Sequence, residues 1–247
     1  MNYNPFSLSG KTILITGASS GIGKATAIEC AKAGASLIIT GRDTPRLQQT
    51  LESLPGENHK AVIADLTSDT GIQLLTDSIE KTDGVVLCAG VNDKALIKNI
   101  NREVLQKVMD INLYSPVLLI RSLLKHKKLQ KYASVVMLSS ISAYYPAISN
   151  GMYAASKGAI NSFSKILALE ILPLKGRVNC IQPAFVETDM LKKYTLQEEI
   201  EKIRSEYPLG RFAQPEEIAY AAIYFLSDAS QWVTGNLFIM DGGFTLR

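Results

Sequence analysis

Apolar residues follow two patterns along this chain. At 12–16, 36–40, 61–64, 84–88, 134–139, 177–182 and 237–240 they form short runs rich in Val, Ile and Leu, most of them nearly unbroken. An unbroken run fits a strand buried on both sides, as in a parallel sheet covered by helices on each face. Between these runs, 22–33, 45–54, 69–80, 101–131, 153–172 and 215–227 carry apolar residues at helical spacing, with Gly34 as a stop for the first. Strands alternating with helices through right-handed crossovers predict an α/β chain: one doubly wound sheet of seven parallel strands with helices on both faces. No repeat, low-complexity tract or linker divides the sequence, so 1–247 reads as a single domain.

One segment breaks the rhythm. Residues 187–211 insert a helical, partly charged stretch before the last helix, with Met190, Leu191, Tyr194 and Leu196 among Lys192, Lys193, Glu198 and Glu199. It follows the C-terminal end of a strand, where such sheets bind ligands. It is either a lid over a site or a plain surface hairpin.

Composition narrows the class. Hydrophobic residues make up 47% and charged residues 20%, the balance of a soluble globule rather than a disordered chain. A net charge of +3 with scattered basic residues gives no footprint for nucleic acid. Arg121, Lys125, His126, Lys127, Lys128 and Lys131 are the exception; they complement the negative pole of a helix ending there, or form a docking patch for an acidic partner. No apolar run is long enough to span a bilayer, since Arg121 interrupts the nearest candidate. The first residues lack the pattern of a signal peptide. Cys30, Cys88 and Cys180 are odd in number and lie in apolar segments, which predicts buried, reduced thiols and a cytoplasmic protein. With histidine only at 59 and 126, a His-based triad or metal cluster is not expected.

Candidate chemistry begins at Thr16-Gly17-Ala18-Ser19-Ser20-Gly21-Ile22-Gly23, between the first strand and the first helix. Glycines there allow a tight turn and let backbone approach a pyrophosphate at the helix N-terminus, the context of a Rossmann-type dinucleotide site. At the end of the second strand, Gly41 stands where an acidic residue would hold a ribose, and Arg42 follows it with a cation suited to phosphate. This favours NADP(H) over NAD(H), with Asp43 as the rival if its carboxylate faces the ribose. Asp65, after the third strand, either accepts from the adenine amino group or caps the next helix.

Tyr153 and Lys157 are spaced to share one helical face. An ammonium near the phenol favours the phenolate, and bringing a phenol from a pKa of about 10 to neutrality takes about 3 pH units, or roughly 4 kcal/mol. Such a group would donate or accept a proton at neutral pH. Ser139 and Ser140 close the fifth strand, close enough to set a hydroxyl beside that phenol. Pro116, four residues after Asn112 in a predicted helix, has no N–H for the Asn112 carbonyl. The helix should kink there and leave that carbonyl free to hold a water, unless the kink only bends the helix around the core.

Thr16-Gly-x-x-x-Gly-x-Gly23, Asn112, Ser140, Tyr153-x-x-x-Lys157, Pro183, Thr188, Pro215-Glu216-Glu217-Ile218-Ala219, Thr234-Gly235 and Asp241-Gly242-Gly243 together resemble the motif set of the short-chain dehydrogenases/reductases. Among subgroups they are most similar to the 3-oxoacyl-[acyl-carrier-protein] reductases. The resemblance implies Tyr153 as general acid or base, Lys157 lowering its pKa and holding the nicotinamide ribose, Ser140 bonding the substrate carbonyl, and Asn112 holding a relay water. It implies a cofactor held by Gly17, Ser19, Ser20, Gly21, Ile22, Gly23, Arg42, Asp65, Leu66, Ala89, Gly90, Tyr153, Lys157, Pro183, Val186 and Thr188. It also implies a small-molecule or acyl-thioester substrate, an acyl carrier protein as partner, and a homotetramer joined through the helices at 101–131 and 153–172 and the last strand.

Tyr144, Tyr145, Pro146, Ala147, Ile148 and Met152 give the expected pocket edge an apolar character suited to an acyl chain, while Arg121, Lys125, Lys128 and Lys175 would attract an acidic carrier. Dehydrogenases of a sugar, polyol, steroid or other secondary alcohol are the alternative, and an NADP(H)-sensing regulator is the non-enzyme alternative. Two departures stand out. Leu87-Cys88-Ala89-Gly90 replaces the usual Asn-Asn-Ala-Gly, and Pro183-Ala184 replaces the usual Pro-Gly, where backbone angles open to glycine would be lost.

Overall fold

The computed structural model describes residues 4–194 and 197–246, with side chains throughout except at 192–199. Among these, the sheet comprises β1 (Thr12–Thr16), β2 (Ser36–Gly41), β3 (Lys60–Ile63), β4 (Thr82–Leu87), β5 (Leu129–Leu138), β6 (Arg177–Pro183) and β7 (Leu237–Met240). Its order is β3-β2-β1-β4-β5-β6-β7 with every pairing parallel, the doubly wound sheet that the sequence predicts. The helices are α1 (Gly21–Lys32), α2 (Thr44–Glu52), α3 (Asp69–Ser78), α4 (Arg102–Met109), α5 (Ser115–Lys125), α6 (Gly151–Glu170), α7 (Asp189–Tyr194), α8 (Gln197–Ser205) and α9 (Pro215–Leu226). None of the described helices is long and apolar enough to cross a membrane.

Alternation along each strand feeds two cores. Leu14, Val85, Leu87, Val135 and Met137 pack with Leu75 of α3, Leu119 of α5 and Ile160 of α6. Their neighbours Ile13, Ile15, Val86, Val136 and Leu138 pack on the other face with Ala27 of α1, Ile218 and Phe225 of α9. Both sides of β1, β4 and β5 are thus buried, which is why these strands read as continuous apolar runs. A full burial of one such side chain contributes about 1.5–3 kcal/mol.

The helix expected over 101–131 is not one element. α4 ends at Met109, a π-turn covers Asp110–Tyr114, and α5 ends at Lys125. Pro116 supplies no N–H, and the carbonyl of Asp110 instead takes both the N–H and the hydroxyl of Ser115. The kink expected from Pro116 is therefore realised as a wider helical turn. Past α5, Lys127 reverses the chain at φ 53° and β5 begins at Leu129, which pairs with Thr82. That pairing moves the strand start five residues ahead of the apolar run at 134, so a helix-like stretch becomes the edge-entering part of a strand.

Of the cationic cluster, Lys125 stands in the last turn of α5, as the helix-end reading expects, and the later residues disperse. Lys128 donates to the carbonyl of Ile79, just past α3, and Lys131 and Lys175 stand over the exposed ring of Tyr132. Lys128 and Lys175 precede β5 and β6, at the sheet edge opposite the strands' C-terminal ends. The segment after β6 forms α7 and α8, as the sequence suggests, and seats Leu191, Ile200, Tyr207 and Phe212 in a small core of their own. The side chains of Lys192, Lys193, Tyr194, Leu196, Glu198 and Glu199 lie outside the described residues.

Candidate active site

Strand order reverses between β1 and β4, and a crevice at the C-terminal ends of strands is expected there. The turn after β1 crosses this crevice against the end of β4. Gly17 has φ 66°, and a Cβ on it would stand 2.8 Å from the backbone of Ala89. A Cβ on Gly23 would fall 2.2 Å from the Gly17 carbonyl oxygen, so α1 can start this close to the strand only with glycine there. The Ser20 side chain caps none of the first amides of α1, which leaves them for an anion.

Gly17, Ser19, Ser20, Gly21, Ile22, Gly23, Arg42, Asp65, Leu66, Ala89, Gly90 and Thr188 all line the resulting cavity of about 300 Å³. A backbone cradle without side chains, facing open helix amides, fits the pyrophosphate of a dinucleotide. Met190, from the 187–211 insertion, also lines it, as do Val91 and Ile111, which carry no motif signal and which sequence reasoning passed over.

Two carboxylates follow β2 and β3, and both are engaged within the protein. Asp43 caps α2 by accepting from the Arg46 N–H at 3.1 Å, so it serves that helix. Asp65 accepts from the Thr67 N–H and hydroxyl at 3.1 and 2.8 Å, while α3 is capped by Ser68. Burial raises the Asp65 carboxyl, but these bonds and Arg42 outweigh it and hold it below its ordinary value. Arg42 lies 3.9 Å from Asp65 and stays more than half exposed.

A second cavity of about 370 Å³ adjoins the first and shares Ile22, Cys88, Gly90, Thr188 and Met190 with it. Ser140, Tyr153 and Lys157 meet on its wall, joined by Pro183 and Val186. Ser140 lies two residues past the end of β5; its hydroxyl accepts from the Ser142 N–H at 3.1 Å, donates to the Pro183 carbonyl at 3.4 Å and bonds the Tyr153 phenol. Tyr153 stands in the first turn of α6, which begins at Gly151, and Lys157 one turn further.

The electrostatics differ from the sequence expectation. Burial pushes the Tyr153 phenol up to about 12, with the Ser140 hydroxyl pulling the other way. Lys157 is almost wholly buried; its ammonium donates to the Leu138 carbonyl at 2.7 Å and stands 5.6 Å from the centre of the Tyr153 ring. Burial pushes that ammonium down to about 8, against a smaller opposite pull from Cys180 and Cys88. In this geometry burial and the Ser140 hydroxyl set the phenol, and Lys157 does not bring it toward neutrality.

Asn112 stands behind this wall, with its side chain fully engaged. Its carboxamide exchanges bonds of 2.8 and 2.9 Å with the Val91 backbone and donates to Ser156 at 3.0 Å. It thereby ties the chain leaving β4 to α6. A Cβ on Gly90 would approach Asn112 Oδ1 at 3.4 Å and Lys157 Nζ at 3.5 Å, so that glycine lets backbone pass beside both.

The two departures are absorbed. Cys88 packs toward the α1 side and bonds Thr26, and burial pushes its thiol up to about 12. Ala184 is not among the described residues with positive φ, and its N–H reaches the Met240 carbonyl, so no glycine-only angle is needed. Of the expected pocket edge, Tyr145, Ala147 and Ile148 line the cavity. Met152 instead turns into the core, while Tyr144 and Pro146 do not line the cavity. Leu191 and Ile203, from the 187–211 insertion, also line it, and Phe185 and Phe244 are walls that the sequence reading missed. Phe244 directly follows the Asp241-Gly242-Gly243 motif, the one signal that pointed near it. Besides Lys157, the cation that lines this cavity is Lys94, rather than Arg121, Lys125, Lys128 or Lys175.

A family model described as enoyl-(acyl carrier protein) reductase matches residues 17–245. The chain belongs to the short-chain dehydrogenase/reductase family, oxidoreductases that use a nicotinamide cofactor. It is 36% identical over 238 residues to an uncharacterized oxidoreductase, YmfI, of Bacillus subtilis, covering 94% of this chain and 98% of that one. A 3-oxoacyl-[acyl-carrier-protein] reductase, FabG, of Thermotoga maritima is 33% identical over 245 residues, with coverage of 97% and 99%. Among solved structures, a protein of Beutenbergia cavernae provisionally assigned as an NAD(P) dependent gluconate 5-dehydrogenase, with NADP bound at low occupancy, matches with a TM-score of 0.91. It is 29% identical and covers 99% of this chain and 100% of that one.

Proposed function

We propose that this enzyme is an NADPH-dependent reductase of a 3-oxoacyl thioester, presented by an acyl carrier protein or a small carrier. The reading rests chiefly on one observation: Ser140, Tyr153 and Lys157 converge on an apolar cavity that opens into the dinucleotide cradle. The nicotinamide, when bound, supplies the hydride. Ser140 then positions the substrate carbonyl oxygen, and Tyr153 Oη gives that oxygen its proton. A phenol near 12 is fully protonated at neutral pH and remains a far stronger acid than water, at about 15.7, so it can protonate a forming alkoxide. This state suits reduction. Lys157 holds the ribose hydroxyls and contributes positive charge, and the Asn112 carbonyl holds a water that resupplies the proton.

Tyr145, Ile148, Phe185 and Leu191 offer an alkyl chain apolar contacts, which favours the acyl reading over a sugar or polyol one. The α7–α8 segment acts as the lid, since Met190 borders both cavities. A carrier protein would approach Lys94 at the cavity wall. Exposed Phe238 and Ile239 of β7 and Leu169 of α6 support a homotetramer, and three unpaired thiols support a cytoplasmic setting.

The test is NADPH oxidation with 3-oxoacyl thioesters, run beside NADH and a panel of ketones, with polyols and NADP⁺ in reverse. Turnover of thioesters above polyols is expected. Turnover of polyols alone would assign a polyol dehydrogenase, and NADPH binding without any turnover would assign a sensor.

Cofactor preference has its own test. With Asp43 committed to α2, Arg42 is the cation at the ribose end, and a bond to a charged phosphate contributes about 1.5–3 kcal/mol. Arg42→Ala should weaken NADPH binding about 10- to 100-fold by fluorescence titration and leave NADH within about twofold. Equal weakening of both would remove Arg42 from the phosphate.

A further inference from the structure

We infer that Phe244, from the C-terminal turn, forms the end wall of the substrate cavity and sets the length of acyl chain that fits. This rests on the reductase reading above and names the feature that limits its substrate.

The turn that carries Phe244 is tightly built. Asp241 accepts from the Gly243 N–H at 2.9 Å with one oxygen, and from the Thr245 N–H and hydroxyl at 2.9 and 2.6 Å with the other. Gly242 and Gly243 take φ of 61° and 81°, and a Cβ on either would press on Tyr207 or Pro208 at 3.3 or 3.2 Å. The chain therefore lies flat against residues 207–208 and delivers the next side chain into the cavity.

There the Phe244 ring stacks on Tyr207 with centroids 4.7 Å apart and an interplanar angle of 22°. It meets Tyr145 edge-on at 5.3 Å and 63°. Tyr207 is a fixed platform: it is buried, its hydroxyl accepts from the Phe185 N–H at 3.1 Å, and its ring stands edge-on to Phe212 at 5.2 Å. Tyr145 comes from the loop that begins at Ser140. Phe244 thus joins the end of the α8 segment to the catalytic loop; its ring and that of Tyr145 close one side of the cavity, with Tyr207 stacked behind Phe244.

An aromatic wall held from both sides yields little to a longer ligand, since overpacking a well-filled site displaces its neighbours. One methylene in an apolar pocket is worth about 10- to 200-fold in specificity.

The experiment measures kcat/KM for 3-oxoacyl thioesters of increasing straight-chain length in the parent, Phe244→Ala, Phe244→Leu and Phe244→Trp. Thermal melting identifies any variant that has lost its fold, and the Leu and Trp forms keep an apolar side chain against Tyr207. The parent should decline beyond a limiting length. Ala and Leu should move that limit to longer chains, with a change of about 10-fold or more in the long-to-short ratio, and Trp to shorter ones; NADPH affinity should stay constant.

Length profiles that stay parallel across folded variants overturn the inference while leaving the reductase reading intact. If no carbonyl is turned over by any of the proteins, the reductase reading falls. The length limit is then read from equilibrium binding of straight-chain acyl thioesters, where a profile unaffected by residue 244 overturns it.

Discussion

The Tyr153→Phe protein is expected to bind NADPH as the parent does and to reduce its substrate about 10²- to 10⁴-fold more slowly, the usual contribution of a positioned general acid. The substitution keeps the ring against Lys157 and removes only the hydroxyl that bonds Ser140. Stability should change by about 1 kcal/mol, the net worth of one hydrogen bond. Single-turnover NADPH oxidation beside a cofactor titration separates chemistry from binding. A loss of less than tenfold would show that another group delivers the proton. Because the phenol is pushed up to about 12, its deprotonation should not limit reduction at any pH below about 10.

Lys157→Met should cost at least about 10² in turnover and yet relieve the fold of a penalty at neutral pH. The ammonium falls from 10.5 to about 8 on burial, which corresponds to about 3 kcal/mol of lost stability at 1.36 kcal/mol per pH unit. The sign follows from linkage. A base whose folded pKa is depressed is protonated more readily in the unfolded chain. The penalty is therefore full below about pH 8 and disappears as pH rises toward 10.5. Methionine leaves the Leu138 carbonyl without its donor, a cost of about 1–3 kcal/mol that does not depend on pH.

The stability difference, variant minus parent, should accordingly be about 2–3 kcal/mol more favourable at pH 7 than at pH 10 in urea unfolding. A pH-independent difference would mean that Lys157 is not desolvated as the geometry requires. The same titration should appear in the parent as a fall in turnover above about pH 8, absent from any variant retaining activity without this lysine.

Both expectations reverse part of what the motif alone suggests. Four-residue spacing correctly puts Tyr153 and Lys157 on one face of α6, because helix geometry is local. Spacing carries no information about what else surrounds an ammonium. Here the end of β5 offers it the Leu138 carbonyl and the core removes its water, so the lysine loses basicity and the phenol rises. The Asn112 side chain is a similar case: its place in the sequence marks the kink, but its bonds to Val91 and Ser156 come from chain segments 21 and 44 residues away.

The sequence by itself determined the features that one stretch of chain can specify. Unbroken apolar runs implied a two-faced parallel sheet, glycines at 17, 21 and 23 implied a phosphate turn, and Gly41-Arg42 implied the cation at the end of β2. Each depends on backbone angles, side-chain period or a missing Cβ, which are set within a few residues. Tertiary structure alone decided where β5 starts, since Leu129 joins the sheet only through Thr82 of β4. It alone turned Met152 inward and brought Phe244 from the end of the chain to Tyr145 and Tyr207. Those outcomes depend on contacts between distant segments, where burial and packing override any local preference.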